Sequence, residues 1–196
     1  PESIGELRGG GEIRAAIDLG TNSFHLLVAR VQDDGSFDLL TKDKEVVRLG
    51  SGAGELRTIA PEAIERGLAA LRRFRHIADS FGAGIDAVGT SALREAGNRH
   101  EFVQRALAEA GISVDVVSGA EEARLIHLGV IQTLPVFDDR ILVVDIGGGS
   151  TELVVGEGTD VLVARSLKLG AIRLTDRFFP DGRVTSKAVT ECRRYV

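Results

Sequence analysis

Two acidic, glycine-rich turns contain the residues whose types and spacing could best perform chemistry. One turn follows Asp145, which ends the apolar run at residues 141–144. It consists of Gly147, Gly148, Gly149, Ser150 and Thr151. Because glycine has no Cβ, backbone N–H groups in such a turn can approach a ligand closely and bind phosphate. A carboxylate beside a phosphate requires a cation between them, so the pattern also predicts Mg²⁺ or Mn²⁺.

A turn of the same kind occurs earlier in the chain, where Asp18 aligns with Asp145 and likewise ends an apolar run. The turn after it consists of Gly20, Thr21, Asn22 and Ser23. Two later landmarks repeat in the same order: VVRLG ending at Gly50 matches SLKLG ending at Gly170, and PEAIERGL from residue 61 matches the run from residue 185. These ordered matches indicate an internal duplication, which predicts two domains whose turns face each other across a cleft.

Several carboxylates lie next to these predicted phosphate sites. Glu152 directly follows the second turn, where a carboxylate can hold a metal or orient water, although an isolated glutamate in a strand usually faces solvent. Glu121 and Glu122 begin a predicted helix after a strand, which is where doubly wound folds bind ligands. Either could take a proton from water, or could simply stabilise the helix N-terminus through the helix dipole. Their spacing alone does not choose between these roles.

Arg94 and His25 are the other notable side chains. Arg94 lies in TSALREA, at a second junction between a strand and a helix. Its guanidinium can bind phosphate through two parallel hydrogen bonds, and the alternative is a surface ion pair with Glu95 or Glu101. His25 is expected to be structural, because no second His or Cys stands at metal-ligand spacing. Four further cations could line the cleft, although such residues more often solvate a face: Arg30, Arg48, Lys168 and Arg173.

The elements that must position these side chains follow from hydrophobic periodicity and from turn and cap residues. The first copy is predicted to have strands at residues 13–19, 24–32 and 37–49, a helix at 61–80, a strand at 85–89, a helix at 99–110, a strand at 113–117 and a helix at 120–134. Gly111 is expected to end the second of these helices, and Ser118 is expected to cap the third. The second copy is predicted to have three strands within residues 141–169 and a helix from Thr185. This order predicts an α/β protein with domains at residues 12–134 and 139–196, the second of them incomplete.

Composition and charge exclude several classes of protein. The chain has 196 residues, of which 43% are apolar and 27% charged, as in an ordinary soluble globular protein. No apolar run approaches the ~20 residues of a membrane span. The net charge of −5 disfavours a general nucleic-acid binder. The single cysteine, Cys192, excludes an internal disulfide and predicts a cytoplasmic location.

Five ordered segments of the chain resemble the exopolyphosphatase / guanosine pentaphosphate phosphohydrolase family, within the actin-like ATPase superfamily of sugar kinases, actins and chaperone ATPases. The segments are AAIDLGTNSFHLLVARV, GTSALREA, SGAEEARLIHLGV, VVDIGGGSTELVVGEG and SLKLGAIRLTDRFF. The resemblance implies an actin-like ATPase (ribonuclease H-like) fold. It further implies two duplicated βββαβαβα domains around a cleft, the second one truncated in this chain.

The resemblance also implies an activity and a set of residue roles. The activity is metal-assisted hydrolysis of the terminal phosphoanhydride of inorganic polyphosphate, with guanosine pentaphosphate as the second choice of substrate and a homodimer for the full-length protein. The catalytic glutamate of the family matches Glu122, with Glu121 in reserve, and an arginine at its phosphate site matches Arg94. The two turns would bind phosphate. The metal, Mg²⁺ or Mn²⁺, would be held by Asp18, Asp145 and Glu152.

The residues leave two other functional classes open. An actin-like ATPase or sugar kinase shares the two turns, but it would need an adenosine site, which normally lies downstream of residue 196. A non-catalytic module could bind guanosine tetra- or pentaphosphate without hydrolysing it, although such a sensor has no need of a base at Glu122. The two phosphate substrates are not separated either, because no base-recognising surface is identifiable.

Overall fold

The computed structural model describes residues 11–50 and 58–196. The first part of the chain forms β1 (Glu12–Leu19), β2 (Phe24–Val31), β3 (Phe37–Glu45), α1 (Pro61–Ser80), β4 (Gly84–Gly89), α2 (Ser91–Glu95), α3 (Arg99–Ala110), β5 (Val114–Val116) and α4 (Gly119–Thr133). The second part forms β6 (Arg140–Ile146), β7 (Thr151–Glu157), β8 (Asp160–Leu167), α5 (Ala171–Phe178) and α6 (Ser186–Tyr195). The predicted loop at residues 50–57 lies outside the described residues, except for Gly50. Within the described ranges, no helix is both long and apolar enough to cross a membrane.

The first sheet brings the candidate residues to one edge. Its strand order is β3-β2-β1-β4-β5, in which β1 to β3 form an antiparallel meander and β4 and β5 run parallel to β1. The carboxyl ends of β1, β4 and β5 therefore meet at one edge, which is where open α/β sheets bind ligands. Asp18 lies at the end of β1, Arg94 lies on α2 directly after β4, and Glu122 lies at the start of α4 after β5.

The core of the first part forms between this sheet and the apolar face of α1. Pro61 occupies the first turn of α1, where a proline removes no helical hydrogen bond. Apolar residues recur along this helix at three- and four-residue spacing and are buried: Ala63, Ile64, Leu68, Leu71 and Phe74. The rings of Phe24 on β2 and Phe102 on α3 pack edge to face with centroids 6.3 Å apart. These contacts hold in place the strands whose ends carry the candidate residues.

The second sheet repeats the meander of the first. Its order is β6-β7-β8, and both pairs are antiparallel. Each meander contains an irregularity at the same place: the register shifts between Val28 and Ala29 in the first and between Val155 and Gly156 in the second. The alignment that places Asp18 on Asp145 also places the first of these shifts on the second. The repeat predicted from the sequence is therefore visible in the backbone.

The two faces of the second sheet have different surroundings. One face is covered by α4, and on it Glu152 and Val154 are buried. The ring of His127 on α4 lies directly against Gly156 of β7. The opposite face exposes apolar side chains: Leu142, Val144, Ile146 and Val163. Helix α4 is therefore the element through which the first part of the chain supports the second sheet.

Several local predictions are confirmed. The bounds of α1 and α3 are as predicted, and Gly111 ends α3 with a φ of 64°. Ser118 caps α4 by accepting a hydrogen bond from the Glu121 N–H at 3.1 Å. The predicted helix from Thr185 is present as α6, and Thr185 caps it by accepting a hydrogen bond from the Ala188 N–H. These caps act within one helical turn, so the local sequence is enough to predict them.

Three elements differ from the prediction. Strand β3 ends at Glu45 instead of residue 49, because the N–H groups of Arg48 and Gly50 donate to carbonyls of the first turn. The short helix α2 has only five residues, too few to show a hydrophobic period. Helix α5 has no capping side chain at its start. Its first N–H groups donate to the Gly147 and Gly148 carbonyls instead, so a tertiary contact replaces the sequence signal.

Candidate active site

The first turn is closed by its own backbone and by the chain after β3. The Gly20 N–H donates to the Ser23 carbonyl at 3.1 Å. The Thr21 carbonyl accepts a hydrogen bond from the Gly50 N–H, also at 3.1 Å. The hydrogen bond from Gly50 joins the segment VVRLG to the first turn, so the two segments form one structural unit. This explains why both segments recur, in the same order, in the sequence repeat.

The second turn has the same construction. The Gly147 N–H donates to the Ser150 carbonyl at 2.9 Å. Gly170, the counterpart of Gly50 in the sequence repeat, lies against this turn. A Cβ at Gly170 would be 2.5 Å from the carbonyl carbon of Gly148, so a side chain does not fit there. The segment after β8 thus supports the second turn as the segment after β3 supports the first.

The two turns meet in a cleft of about 700 Å³. A Cβ added to Gly148 would lie 3.2 Å from the Thr21 Cβ, so the absence of a side chain at Gly148 lets the turns approach closely. Most predicted turn residues and both aspartates line the cleft: Asp18, Gly20, Thr21, Asn22, Ser23, Asp145, Gly147 and Gly148. The structure therefore brings the two acidic turns together, as the duplication predicts.

Three of the predicted phosphate ligands are not among the residues that line the cleft. Gly149 and Ser150 are buried, and the Thr151 hydroxyl donates a hydrogen bond to the Leu169 carbonyl. These residues shape the second turn. Their role in binding phosphate stays a prediction.

Asp18 and Asp145 form the acidic centre of the cleft. Asp18 is open to the cleft, but the surrounding protein partly desolvates it and raises its pKa to about 6, and the charge of Asp145 adds to the increase. Two neighbouring carboxylates favour a cation between them, and Mg²⁺ is commonly bound by one or two carboxylates together with phosphate oxygens. The donor set therefore fits Mg²⁺ or Mn²⁺. Across the described part of the chain, no three His, Cys, Asp or Glu side chains converge on a metal position, so phosphate oxygens and water would complete the coordination.

Glu152 lies directly across from Asp145 in the β6–β7 pair. Its side chain is almost fully buried and accepts a hydrogen bond from the Ser166 hydroxyl at 2.7 Å. Its negative charge helps to raise the pKa of Glu122. Glu152 does not join Asp18 and Asp145 in a three-residue metal group, and its role as a metal ligand stays a prediction.

Arg94 on α2 and Glu122 at the start of α4 form an ion pair, and neither of them is among the residues that line the cleft. The Arg94 Nη1 donates to Glu122 Oε2 at 2.8 Å and to the Val117 carbonyl at 3.0 Å. The two side chains are only 23% and 13% exposed, respectively. Burial raises the pKa of Glu122, the hydrogen bond from Arg94 opposes this rise, and the charges of Glu152 and Asp18 add to it. A carboxylate with a raised pKa is suited to accept a proton from water near neutral pH.

Glu121 has a different environment from its neighbour. It forms an ion pair with Arg124 at 2.7 Å, and its side chain is 40% exposed. The hydrogen bond from Arg124 lowers the pKa of Glu121, which makes it a weaker base. The geometry therefore favours Glu122 over Glu121. Arg94 likewise pairs with Glu122 instead of with the neighbouring glutamates considered from the sequence.

A network that the sequence pattern does not indicate connects the two parts of the chain. The Arg173 guanidinium donates to the Gly149 carbonyl at 2.8 Å and to the Glu95 carboxylate at 2.7 Å. Lys168 donates to the same carboxylate at 2.9 Å. Arg173 and Glu95 are only 11% and 15% exposed, so Arg173 is an internal ion-pair partner and not a cation lining the cleft. The only sequence signal for Glu95 is that it directly follows Arg94.

Basic side chains line the cleft on the side of the first sheet: His25, Lys44 and Arg48. His25, which the sequence favours as a structural residue, lies instead on the cleft surface. Burial and the charge of Lys44 lower its pKa. The alternation of β3 could have placed Lys44 on this face, but the sequence contains no signal that the face borders a ligand site.

Comparison with known proteins identifies the family of this chain. A sequence model of the Ppx/GppA phosphatase family matches residues 27–196. The chain belongs to the Ppx/GppA phosphatase family. Over 173 residues it is 43% identical to the guanosine-5'-triphosphate,3'-diphosphate pyrophosphatase of Vibrio cholerae, a match that covers 88% of this chain and 34% of that protein.

Solved structures agree with this assignment. The chain is similar to an exopolyphosphatase from Cytophaga hutchinsonii, with a TM-score of 0.81 and 39% identity over 86% of this chain and 54% of that one. It is also similar to the PPX-GPPA enzyme of Aquifex aeolicus, with a TM-score of 0.75 and 32% identity over 94% of this chain and 61% of that one. The predicted family and the α/β, actin-like ATPase fold are confirmed. The chain spans about a third of the Vibrio cholerae protein and little more than half of each solved chain.

Proposed function

We propose that this cleft removes the terminal phosphate of inorganic polyphosphate as orthophosphate, by hydrolysis of a phosphoanhydride bond. The observation that carries the proposal is the partly buried Glu122, which pairs with Arg94 and has a pKa raised by burial and by charges that include that of Asp18, at the first turn. Phosphoryl transfer depends mainly on such positioning and on charge stabilisation. Family membership supports the reaction class, and the similarity to a Cytophaga hutchinsonii exopolyphosphatase supports the substrate.

In the proposed reaction, a water oxygen attacks the terminal phosphorus and the bridging P–O bond breaks. Glu122 accepts a proton from the attacking water, and the remaining phosphate chain leaves with the bridging oxygen and the electron pair of the broken bond. Arg94 and the N–H groups of the turns orient the terminal phosphate and stabilise the charge on its oxygens. A Mg²⁺ or Mn²⁺ ion held by Asp18 and Asp145 would supply further charge neutralisation.

A second substrate, guanosine pentaphosphate, is supported by the 43% identity to a Vibrio cholerae protein named guanosine-5'-triphosphate,3'-diphosphate pyrophosphatase. The 5'-triphosphate of this nucleotide ends in the same kind of phosphoanhydride bond, so the same residues would act on it and leave guanosine tetraphosphate. We also propose that the intact protein is cytoplasmic and forms a homodimer. These two expectations rest on the cysteine content and on the family resemblance, respectively.

Phosphate release from polyphosphate and from guanosine pentaphosphate, measured side by side on the intact protein, tests the proposal. We expect faster release from polyphosphate, and we expect removal of divalent cations to stop it. Faster release from guanosine pentaphosphate would reverse the order of the substrates, and full activity after exhaustive chelation would contradict the role of the metal. Release from neither substrate, together with ATP hydrolysis or with nucleotide binding without turnover, would favour an actin-like ATPase or a nucleotide-binding module.

A further inference from the structure

We propose that His25 and Lys44 form a subsite for the second phosphate group of the substrate, on the leaving side of the scissile bond. The ligand class is a linear chain of linked phosphates. This proposal rests on the proposed function, because it assigns a direction to the same substrate in the same cleft.

Asp18, His25 and Lys44 form one row across the first sheet. Asp18 pairs with His25 between β1 and β2, and His25 pairs with Lys44 between β2 and β3. Directly opposed residues on antiparallel strands project from the same face, with Cβ atoms about 5 Å apart. All three side chains line the cleft. The row therefore leads from the acidic centre of the cleft to two basic side chains.

The corresponding row of the second sheet has a different charge. Asp145 pairs with Glu152, and Glu152 pairs with Ser166. The alignment of the two copies places His25 on Glu152, so these two residues occupy the same position in the repeat. One row thus continues from its aspartate into basic side chains and the other into a carboxylate and a hydroxyl. Glu152 and Ser166 do not line the cleft, however, and the charged residues that the second part of the chain contributes to the lining are Asp145 and Asp176. The basic side chains of the lining all belong to the first part of the chain, so the cleft has a basic side and an acidic side.

The strand order gives the cleft a direction. In β3-β2-β1-β4-β5, Lys44 and His25 lie on the two strands on one side of β1, whereas Arg94 and Glu122 follow the two strands on the other side. Asp18, on β1, lies between the two groups. A terminal phosphate held beside Glu122 therefore has its next phosphate toward His25 and Lys44, because these basic side chains line the cleft on the other side of Asp18.

Arg48 adds positive charge next to this subsite. It lies in the segment after β3 with a φ of 53°, and its N–H donates to the Asn22 carbonyl at 2.8 Å. A positive φ is uncommon for a residue with a Cβ, and here the hydrogen bond to the first turn maintains it. Arg48 lines the same cleft as His25 and Lys44. Basic groups are thus concentrated where the leaving phosphate would develop negative charge.

Binding measured without turnover tests the subsite. In a Glu122→Gln background, calorimetry on the intact protein with Mg²⁺ gives its affinities for tripolyphosphate and for orthophosphate. Lys44→Ala and His25→Ala should each weaken tripolyphosphate binding about tenfold, the scale of one hydrogen bond to a charged group, and leave orthophosphate binding unchanged. Lys42→Ala is the matched control, because Lys42 lies on the same face of β3 two residues away and does not line the cleft.

Tripolyphosphate binding that is unchanged in both variants, or no weaker than in Lys42→Ala, would overturn the subsite. An equal loss of orthophosphate affinity would also overturn it, because the effect would then belong to the terminal phosphate site. Phosphate release by protein with Glu122 intact is measured in parallel. Hydrolysis without any effect of Lys44 on binding would refute the subsite alone. An absence of hydrolysis would refute the proposed function. The effects of the variants on tripolyphosphate affinity and on orthophosphate affinity would still decide whether His25 and Lys44 bind a second phosphate.

Discussion

The two hairpins of this protein share a backbone but differ in charge. Each turn is closed by a hydrogen bond from its first glycine to the carbonyl three residues later, at 3.1 Å in the first and 2.9 Å in the second. Each meander shifts register at the same position of the repeat. The residue opposite the aspartate differs, however: it is His25 in the first hairpin and Glu152 in the second.

This difference separates two requirements of a phosphate cleft. The features that repeat are those that any phosphate group needs, namely turn N–H groups and a carboxylate for a cation. The features that differ decide which side of the cleft attracts the rest of a polyanion. Two identical hairpins would form a symmetrical cleft, which could not distinguish the terminal phosphate from the next one. The comparison therefore predicts different consequences for substitutions on the two sides.

The largest effect is expected at Glu122, which lies on the other side of Asp18 from the basic residues His25 and Lys44. Glu122→Gln should lower kcat by about 10²–10⁴-fold, the usual contribution of a general base, because an amide cannot accept the proton of the attacking water. Substrate binding should change little, since glutamine keeps the shape of the side chain. Phosphate release and calorimetric binding measure the two quantities separately.

Glu121→Gln is the matched control for this substitution. Glu121 pairs with Arg124 at the surface, so its variant should keep a rate close to that of the unsubstituted protein. A normal rate for Glu122→Gln combined with a large loss for Glu121→Gln would move the base one residue earlier. Glu121, and not Glu122, would then be the residue that accepts the proton of the attacking water.

The second largest effect is expected at Arg94, because its hydrogen bond to Glu122 changes the pKa of that carboxylate. Arg94→Ala should lower kcat/KM about 10- to 100-fold, which corresponds to about 1.5–3 kcal/mol for a hydrogen bond to a charged group. Because Arg94 lowers the pKa of Glu122, its removal raises that pKa. The base form is then lost at a higher pH, so the acid limb of the rate profile should move to higher pH.

Arg94→Lys should recover only part of this loss, since lysine lacks the planar guanidinium. A pH profile of kcat/KM for the three proteins checks both statements. An acid limb that stays in place in Arg94→Ala would mean that the titrating group is not Glu122. A lysine variant as active as the unsubstituted protein would argue against a phosphate held by two parallel hydrogen bonds.

The ion pair at Glu95 tests whether the two hairpins must be held together. Glu95 accepts hydrogen bonds from Arg173 and Lys168, and Arg173 also donates to the Gly149 carbonyl. Glu95→Gln keeps the shape but removes the charge. We expect kcat to fall about tenfold, the scale of one hydrogen bond to a charged group, because the second turn would be held less firmly.

Glu101→Gln is the control for Glu95→Gln, since Glu101 is an exposed glutamate on α3. Steady-state kinetics of both variants provide the test, with kcat and KM determined separately. Equal rates for the two variants would mean that the hairpins keep their relative position without this ion pair.

The features that the sequence predicted correctly depend on short-range signals. The apolar period of α1, the Ser118 cap of α4 and the Gly111 end of α3 each arise within a few residues. The constant offset between the two copies is a different kind of signal, because it compares distant segments and so indicates that both turns belong to one cleft. Fold class and turn positions were therefore predictable.

The features that the sequence did not predict depend on partners far away in the chain. Helix α5 begins on carbonyls of the second turn, and β3 ends early because its following residues bond to the first turn. Arg173 pairs with Glu95, far away in the sequence, instead of lining the cleft. His25 looks structural because no neighbouring residue in the sequence indicates the cleft beside it. Short-range patterns carry no information about such contacts.

The smallest effect on activity is expected where the second hairpin lacks a side chain that the first one has. Ala29 is buried in the first hairpin, and the same position of the repeat is Gly156 in the second. His127 accounts for the difference. Its buried ring lies so close that a Cβ at Gly156 would be 2.6 Å from Nε2, which is 2.9 Å from the Gly158 carbonyl.

Gly156→Ala, which makes the second hairpin resemble the first, should therefore destabilise the protein by about 1–3 kcal/mol, the usual cost of overpacking. Gly129→Ala is the control, because Gly129 lies on the same helix as His127 with open space around it. Alanine in a helix interior is about 1 kcal/mol more favourable than glycine, so this variant should raise Tm while Gly156→Ala lowers it. Thermal unfolding followed by circular dichroism measures both shifts. An unchanged Tm for Gly156→Ala would mean that the His127 ring can move aside, and the glycine would then not be required for α4 to support the second hairpin.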